Sequence, residues 1–211
     1  MRRSPVRFWQ EARFPFGGPS PPGGGPPNVN DHRVDDARSP GRSRMPPETF
    51  DPEEYVPELS RFLEAGVSPA AGRISAYAPD PNPEARAYAG CSFVMAGTDG
   101  VGTRTVFRSA KVTPTKAGLF APLWTRDENG ATRPYSLADD VGNFVIAASV
   151  PAGYGYFTFS AADLADRGIL ATGDLPGKRG FRLYTPWDTG LNKSASATWA
   201  WQRAFFTIVN G

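Results

Sequence analysis

The chain reads as a single mixed α+β domain of about 160 residues, with a central, largely antiparallel or mixed sheet flanked by short helices. Three observations lead there. In 211 residues, 40% apolar and 12% aromatic side chains supply one substantial hydrophobic core rather than several. Short apolar or β-branched runs, bounded by turn residues, dominate the centre of the chain. Residues 19–27, Pro-Ser-Pro-Pro-Gly-Gly-Gly-Pro-Pro, exclude helix and internal strand, because the prolines lack amide donors and the glycines lose the most entropy on ordering.

That last segment sets the expected organisation: a disordered Pro/Gly/Arg-rich leader over residues 1–46 and the domain over 47–211. The leader's start has no continuous apolar stretch followed by a small-residue cleavage site, so neither a secretory signal nor a twin-arginine signal is expected of Arg2-Arg3. Met45 offers an alternative translational start, which would remove the lone histidine, His32; no catalytic role is assigned to it. Nowhere does an apolar run approach the roughly 18 residues of a membrane span. With one cysteine, Cys91, neither an intramolecular disulfide nor a multi-cysteine zinc site can form, and a cytoplasmic location is expected. Its setting in Cys91-Ser92-Phe93-Val94 reads as a small buried residue.

The elements follow in order. Asp51-Pro52-Glu53-Glu54 combines a cap, a proline suited to the first helical position and early carboxylates, so a helix runs toward Leu63, with Pro57 leaving its middle undecided and Gly66 as its stop. Residues 77–83 read as a proline-rich connection. Strands are expected over 91–96 and 105–107, joined as a hairpin through Gly97-Thr98-Asp99-Gly100, and again over 118–123, 144–150 and 154–159. Ser160-Ala161-Ala162-Asp163 matches a capping box and opens a short helix over 161–167 that stops at Gly168. A strand over 181–184 precedes a closing helix over 195–208, whose Ala197, Trp201, Ala204, Phe205 and Ile208 would form a buried stripe.

Charge is unevenly placed. The net charge of +2 belongs to the leader, where residues 1–46 carry 8 basic and 4 acidic side chains; the rest carries 15 basic and 17 acidic ones. Against that acidic background, six basic and two acidic residues lie between Arg104 and Arg133. Within this island, Arg108-Ser109-Ala110-Lys111-Val112-Thr113-Pro114-Thr115-Lys116-Ala117-Gly118 is the richest polar stretch. A strand through Phe107 would set 107, 109 and 111 on one face and 108 and 110 on the other until Pro114 ends regular pairing. Trp124-Thr125-Arg126 adds an aromatic face and a guanidinium. Cations neutralise phosphate, hydroxyls and amides position it, and an aromatic face stacks a base. An ordinary solvated β-turn face with Trp124 in the core accounts for the same residues.

A second cluster, Gly177-Lys178-Arg179-Gly180-Phe181-Arg182, follows a helix and precedes a strand; it matches neither phosphate-loop pattern. Converging with Lys111 and Arg126, it would complete a groove suited to a nucleic-acid backbone. Carboxylates at Glu84, Asp139 and Asp140 could hold a divalent cation near phosphate, although Asp139-Asp140 is more simply a loop before a strand.

At these residues the chain resembles the MepB family. The resemblance rests on 107–120, Leu123-Trp124-Thr125-Arg126, Pro134-Tyr135, Asp139-Asp140, Gly155-Tyr156-Phe157-Thr158-Phe159, 177–187 and Trp201-Gln202, in order, over roughly residues 80–206. It implies a small bacterial protein with a mixed α/β, restriction-endonuclease-like fold and nucleic-acid binding, to DNA or RNA, without a cofactor. Arg108, Lys111, Lys116, Trp124, Arg126, Lys178, Arg179 and Arg182 are then the expected phosphate or nucleic-acid contacts. A metal-dependent nuclease is the alternative, with Glu84, Asp140 and Lys111 as its catalytic residues and Mg or Mn as its metal. Such sites place a carboxylate two residues before a lysine on one strand; Ser109-Ala110-Lys111 departs from that, which favours binding without cleavage. A regulatory protein-interaction domain is the third reading.

Overall fold

Short strands separated by turns cannot bury their apolar faces singly, and here they pair into sheets that leave little room for helix. The computed structural model describes residues 56–65, 74–96 and 101–209; the leader and the expected boundary near residue 47 lie outside them. The first elements are helix α1 (Pro57–Glu64), strand β1 (Ile74–Pro79), one helical turn α2 (Pro83–Arg86), β2 (Cys91–Ala96) and β3 (Gly102–Ser109). Four short strands follow: β4 (Lys111–Val112), β5 (Leu119–Pro122), β6 (Trp124–Arg126) and β7 (Thr132–Pro134). After a 3-10 turn at Leu137–Asp139 come β8 (Asn143–Val150), β9 (Gly153–Ser160), α3 (Ala161–Asp166) and β10 (Gly180–Leu183). Helix α4 (Lys193–Gln202), a second 3-10 turn and β11 (Phe206–Val209) close the described chain.

The large sheet has the order β1-β2-β3-β8-β9-β11, a three-stranded sheet the order β10-β5-β4, and β6-β7 form a hairpin. Every pairing is antiparallel except β3 with β8. Parallel neighbours need a crossover connection. Here it is supplied by β4 to β7, so the whole polar segment from Lys111 to Arg133 lies inside that one crossover.

Two apolar layers flank the large sheet. On one face Val106, Phe144, Ile146, Phe157 and Phe159 pack against Leu119, Leu123, Leu164 and Leu183. On the other, Phe93, Phe107, Val145 and Tyr156 meet Leu59 and Phe62 of α1. Strands covered on both faces read as continuous apolar runs rather than alternating ones, as Phe144, Val145, Ile146, Ala147 and Ala148 do, all buried. Cys91 is buried at the start of β2, where desolvation pushes its thiol up to about 12.

Most expected elements are present, with shifted ends. Ser160 caps α3 as expected: Asp163 N donates to Ser160 Oγ, and the Asp163 side chain accepts from Ser160 N. β2 and β3 pair from Cys91↔Phe107 to Ala96↔Gly102; the turn expected at 97–100 lies outside the described residues, as do Asp51 and Gly66. Pro57 starts α1, since a proline at the first helical position forfeits no helical hydrogen bond.

Two expectations are corrected. Residues 77–79 are not a connection but the end of β1, an edge strand whose register shifts between Ser75 and Ala78 and which ends on Pro79; edge strands and irregular pairings tolerate proline. The closing helix ends at Gln202, and Phe206–Val209 pairs with β9 instead. Aromatic and β-branched residues suit a strand there, and that long-range pairing overrides the helical spacing. The expected stripe dissolves accordingly: Ala195 and Gln202 are the buried positions of α4, while Ala197 and Ala204 are exposed and Ile208 is 48% exposed. Among the described residues no helix is long and apolar enough to cross a membrane.

Candidate nucleic-acid interface

Alternation along β5 sends Leu119 and Ala121 into the core and turns Phe120 outward. Lys111 of β4 and Arg182 of β10 are both its direct cross-strand partners, so a cation stands on each side of an aromatic ring. The Arg182 guanidinium carbon lies 5.8 Å from the Phe120 centroid, and its Nη1 donates to Thr113 Oγ1 at 2.6 Å and to the Gly118 carbonyl at 3.4 Å. Lys111 Nζ donates to the Tyr88 hydroxyl at 2.6 Å and sits 4.7 Å from that ring's centroid. The row therefore alternates aromatic and cation: Tyr88, Lys111, Phe120, Arg182.

Two glycines shape this row. At Gly118 the backbone takes φ +73° and passes so close to the Leu183 carbonyl that a Cβ would lie 2.5 Å from its oxygen. At Gly180 the missing side chain makes room for Phe120, whose Cζ would be 2.5 Å from a Cβ there. Exposed Lys116 stands in the turn that begins at Thr113.

Further along the same chain, Trp124, Thr132 and Arg179 border a concavity of about 290 Å³. Arg179 Nη1 donates to Thr132 Oγ1 at 3.2 Å, and the Arg126 guanidinium lies 5.6 Å from the Trp124 centroid. Lys178 borders a second depression of about 210 Å³ with Arg167, Arg182 and Trp201, where Arg167 lies 5.1 Å from the Trp201 ring. Among the described residues neither Lys116 nor Lys178 forms an ion pair.

The two basic clusters of the sequence thus converge, because β5 pairs with β4 on one side and β10 on the other. Arg108 does not join them. It is 2% exposed, and its Nη2 donates to Asp80 Oδ2 at 2.5 Å and to the Tyr135 hydroxyl at 3.1 Å, while Nη1 donates to the Phe107 carbonyl at 2.8 Å. From there a polar chain continues outward. Asp80 Oδ1 accepts from the backbone and side-chain nitrogens of Asn82, and Asn82 Oδ1 accepts from Arg126 Nε at 2.7 Å. Arg126 also donates to Glu84 Oε1 at 3.1 Å. A backbone hydrogen bond at Glu84, together with Arg126, holds that carboxyl below its usual range.

The residues named for a nuclease are engaged separately. Glu84 is held by Arg126, Lys111 by Tyr88, and Asp140 is an exposed C-cap in the left-handed region, at φ 54°. Asp139 pairs with Arg133 at 2.5 Å. Burial would raise its carboxyl, but Arg133 and the Ser136 amide outweigh that and hold it low. Ser109 Oγ, where a carboxylate would be wanted, is buried without a hydrogen-bond partner among the described residues. Among those residues no three His, Cys, Asp or Glu side chains group to hold a metal ion.

Sequence reasoning missed Phe120, Tyr88, Arg167 and the network through Asp80 and Asn82. Phe120 had a signal: in Leu119-Phe120-Ala121, period-two alternation leaves the ring facing away from its apolar neighbours. Tyr88 and Arg167 had none, since only tertiary pairing brings them here.

The MepB-like family model matches residues 82–208. A solved structure described as "Crystal Structure of MepB" is similar at 30% identity, covering 72% of this chain and 97% of that one, with a TM-score of 0.59. No curated protein matches the chain.

Proposed function

From the alternating row of aromatics and cations on a chain that belongs to the MepB-like family, we propose that the protein binds nucleic acid, with no chemical step. The observation that carries this is the register of Lys111 and Arg182 on either side of Phe120. Strands in one sheet lie about 4.8 Å apart, so the two cations flank a ring wide enough for one base to stack on. A phosphate backbone running across the strands meets a cation on each side of that base. Lys116, Lys178, Arg179 and the Trp124 face extend the same surface, and Arg126 reaches it from the hairpin. Stacking requires an unpaired base, so a single-stranded segment is the form that uses Phe120 and Trp124 fully.

Arg108 supports the site from below, through Asp80, Asn82 and Arg126, and does not touch the ligand. Cleavage is the less favoured reading, because Glu84 is already committed to Arg126.

The test is fluorescence anisotropy with labelled single-stranded DNA and RNA. Wild-type protein is expected to bind at low salt, and Phe120→Ala to lose about 1–3 kcal/mol of binding free energy, the worth of one stacked base. Absence of binding to DNA and to RNA, single- or double-stranded, would overturn the proposal.

A further inference from the structure

A polar cavity of about 270 Å³ lies between β2–β3 and the β6–β7 hairpin. It is separate from the stacking row: Thr125 and Arg133 are direct partners in the hairpin and share the face that lines the cavity, whereas Trp124 and Pro134 share the other.

Charge around this cavity is nearly, but not wholly, balanced. Arg108, Arg126 and Arg133 each have a carboxylate partner, in Asp80, Glu84 and Asp139. Arg104, which lines the cavity, has none among the described residues; its Nη1 donates to the Asp139 main-chain carbonyl at 3.1 Å, which orients the guanidinium without neutralising it. Neither carboxylate facing the cavity accepts a hydrogen bond from it among the described residues; each is paired with another arginine. Both Asp80 oxygens are occupied, by Asn82 and by Arg108, and both Asp139 oxygens by Arg133, with Ser136 on one of them.

Tyr135 adds a donor. Its side chain is 7% exposed, and its oxygen accepts from Arg108, which can only donate. The phenolic proton is left without an acceptor among the described residues, and burial keeps it on the oxygen by raising the pKa. Ser92 and Thr125 place two more hydroxyls in the lining. An uncompensated guanidinium, a buried hydroxyl with a proton to give and carboxylates already paired with other arginines describe a place for an oxyanion.

We propose that this cavity binds a phosphomonoester group, on Arg104 with Tyr135 as second donor. Such a group has two sources, a small phosphorylated molecule or the 5′-phosphate at the end of a nucleic-acid strand.

The test is titration of ¹⁵N-labelled full-length protein with inorganic phosphate at constant ionic strength, followed through the Ser92 amide and the Arg104 Nε–H. Saturable shifts are expected in the wild type. Arg104→Gln, an exposed position, should weaken them about tenfold, and Tyr135→Phe should weaken them with the ring retained. Lys111→Ala should leave them within about twofold, whether or not it impairs nucleic-acid binding. No saturable shift, or Arg104→Gln titrating like the wild type, overturns the proposal; so does loss of the shifts in Lys111→Ala, which would put the anion on the stacking row. Oligonucleotides with and without a 5′-phosphate separate the sources. A preference of about tenfold for the phosphorylated strand, abolished by Arg104→Gln, identifies the strand end, and equal affinity with phosphate binding intact identifies a small molecule.

Discussion

Arg108 carries its charge into the core, where Asp80, the Tyr135 hydroxyl and the Phe107 carbonyl surround it. Breaking a buried pair leaves a carboxylate uncompensated, so Arg108→Ala should cost about 3–5 kcal/mol in urea unfolding. A loss below about 1 kcal/mol would mean that Asp80 finds water or another donor, and would contradict a structural role. Lys111, three residues on, is exposed and, among the described residues, donates to Tyr88. The sequence placed these two cations on opposite faces by alternation but treated both as contacts. Both faces of β3 are covered, and Lys111 is exposed because the chain has left β3 for the short strand β4 of another sheet; no local pattern within Arg108-Ser109-Ala110-Lys111 records that. Cys91 was legible for the opposite reason: a small thiol inside an apolar run is buried whichever face it takes.

Elements with local signals were read closely, and those held by distant partners were not. Ser160 and Asp163 close a capping box through their own side chains, so the start of α3 is written in four consecutive residues. Ser160→Ala should therefore lower unfolding free energy by about 1 kcal/mol in thermal or urea denaturation; no measurable change would show that tertiary contacts alone hold the helix. β11 had no such signal. Phe206–Val209 fits either a helix stripe or a strand, and pairing with β9 decides it. Gln202 marks the change, buried and bridging to β10 by accepting from Tyr184 N and donating to the Arg182 carbonyl. Strands β4 and β7, two and three residues long, fall below what periodicity can detect.

Across the molecule, one parallel pairing organises the candidate site. Because β3 and β8 are parallel, the chain between them must cross over, and it does so as β4 to β7, laid against the sheet's apolar face. β10 then joins β5 from far along the chain and brings the second basic cluster to the first. Neither whole-chain basicity nor the locally basic island indicates this arrangement; the sheet order explains why Lys111 and Arg182, one from each basic cluster, flank one ring. The central claim, that this surface grips a phosphate backbone, is tested most directly by the salt dependence of binding to a single-stranded oligonucleotide. Each lost phosphate contact should reduce the slope of log K against log salt by about 0.7. For Lys111→Ala combined with Arg182→Ala the expected result is a slope shallower by roughly 1.4, with Phe120→Leu weakening binding at an unchanged slope. A double variant that keeps the wild-type slope and affinity would contradict the account.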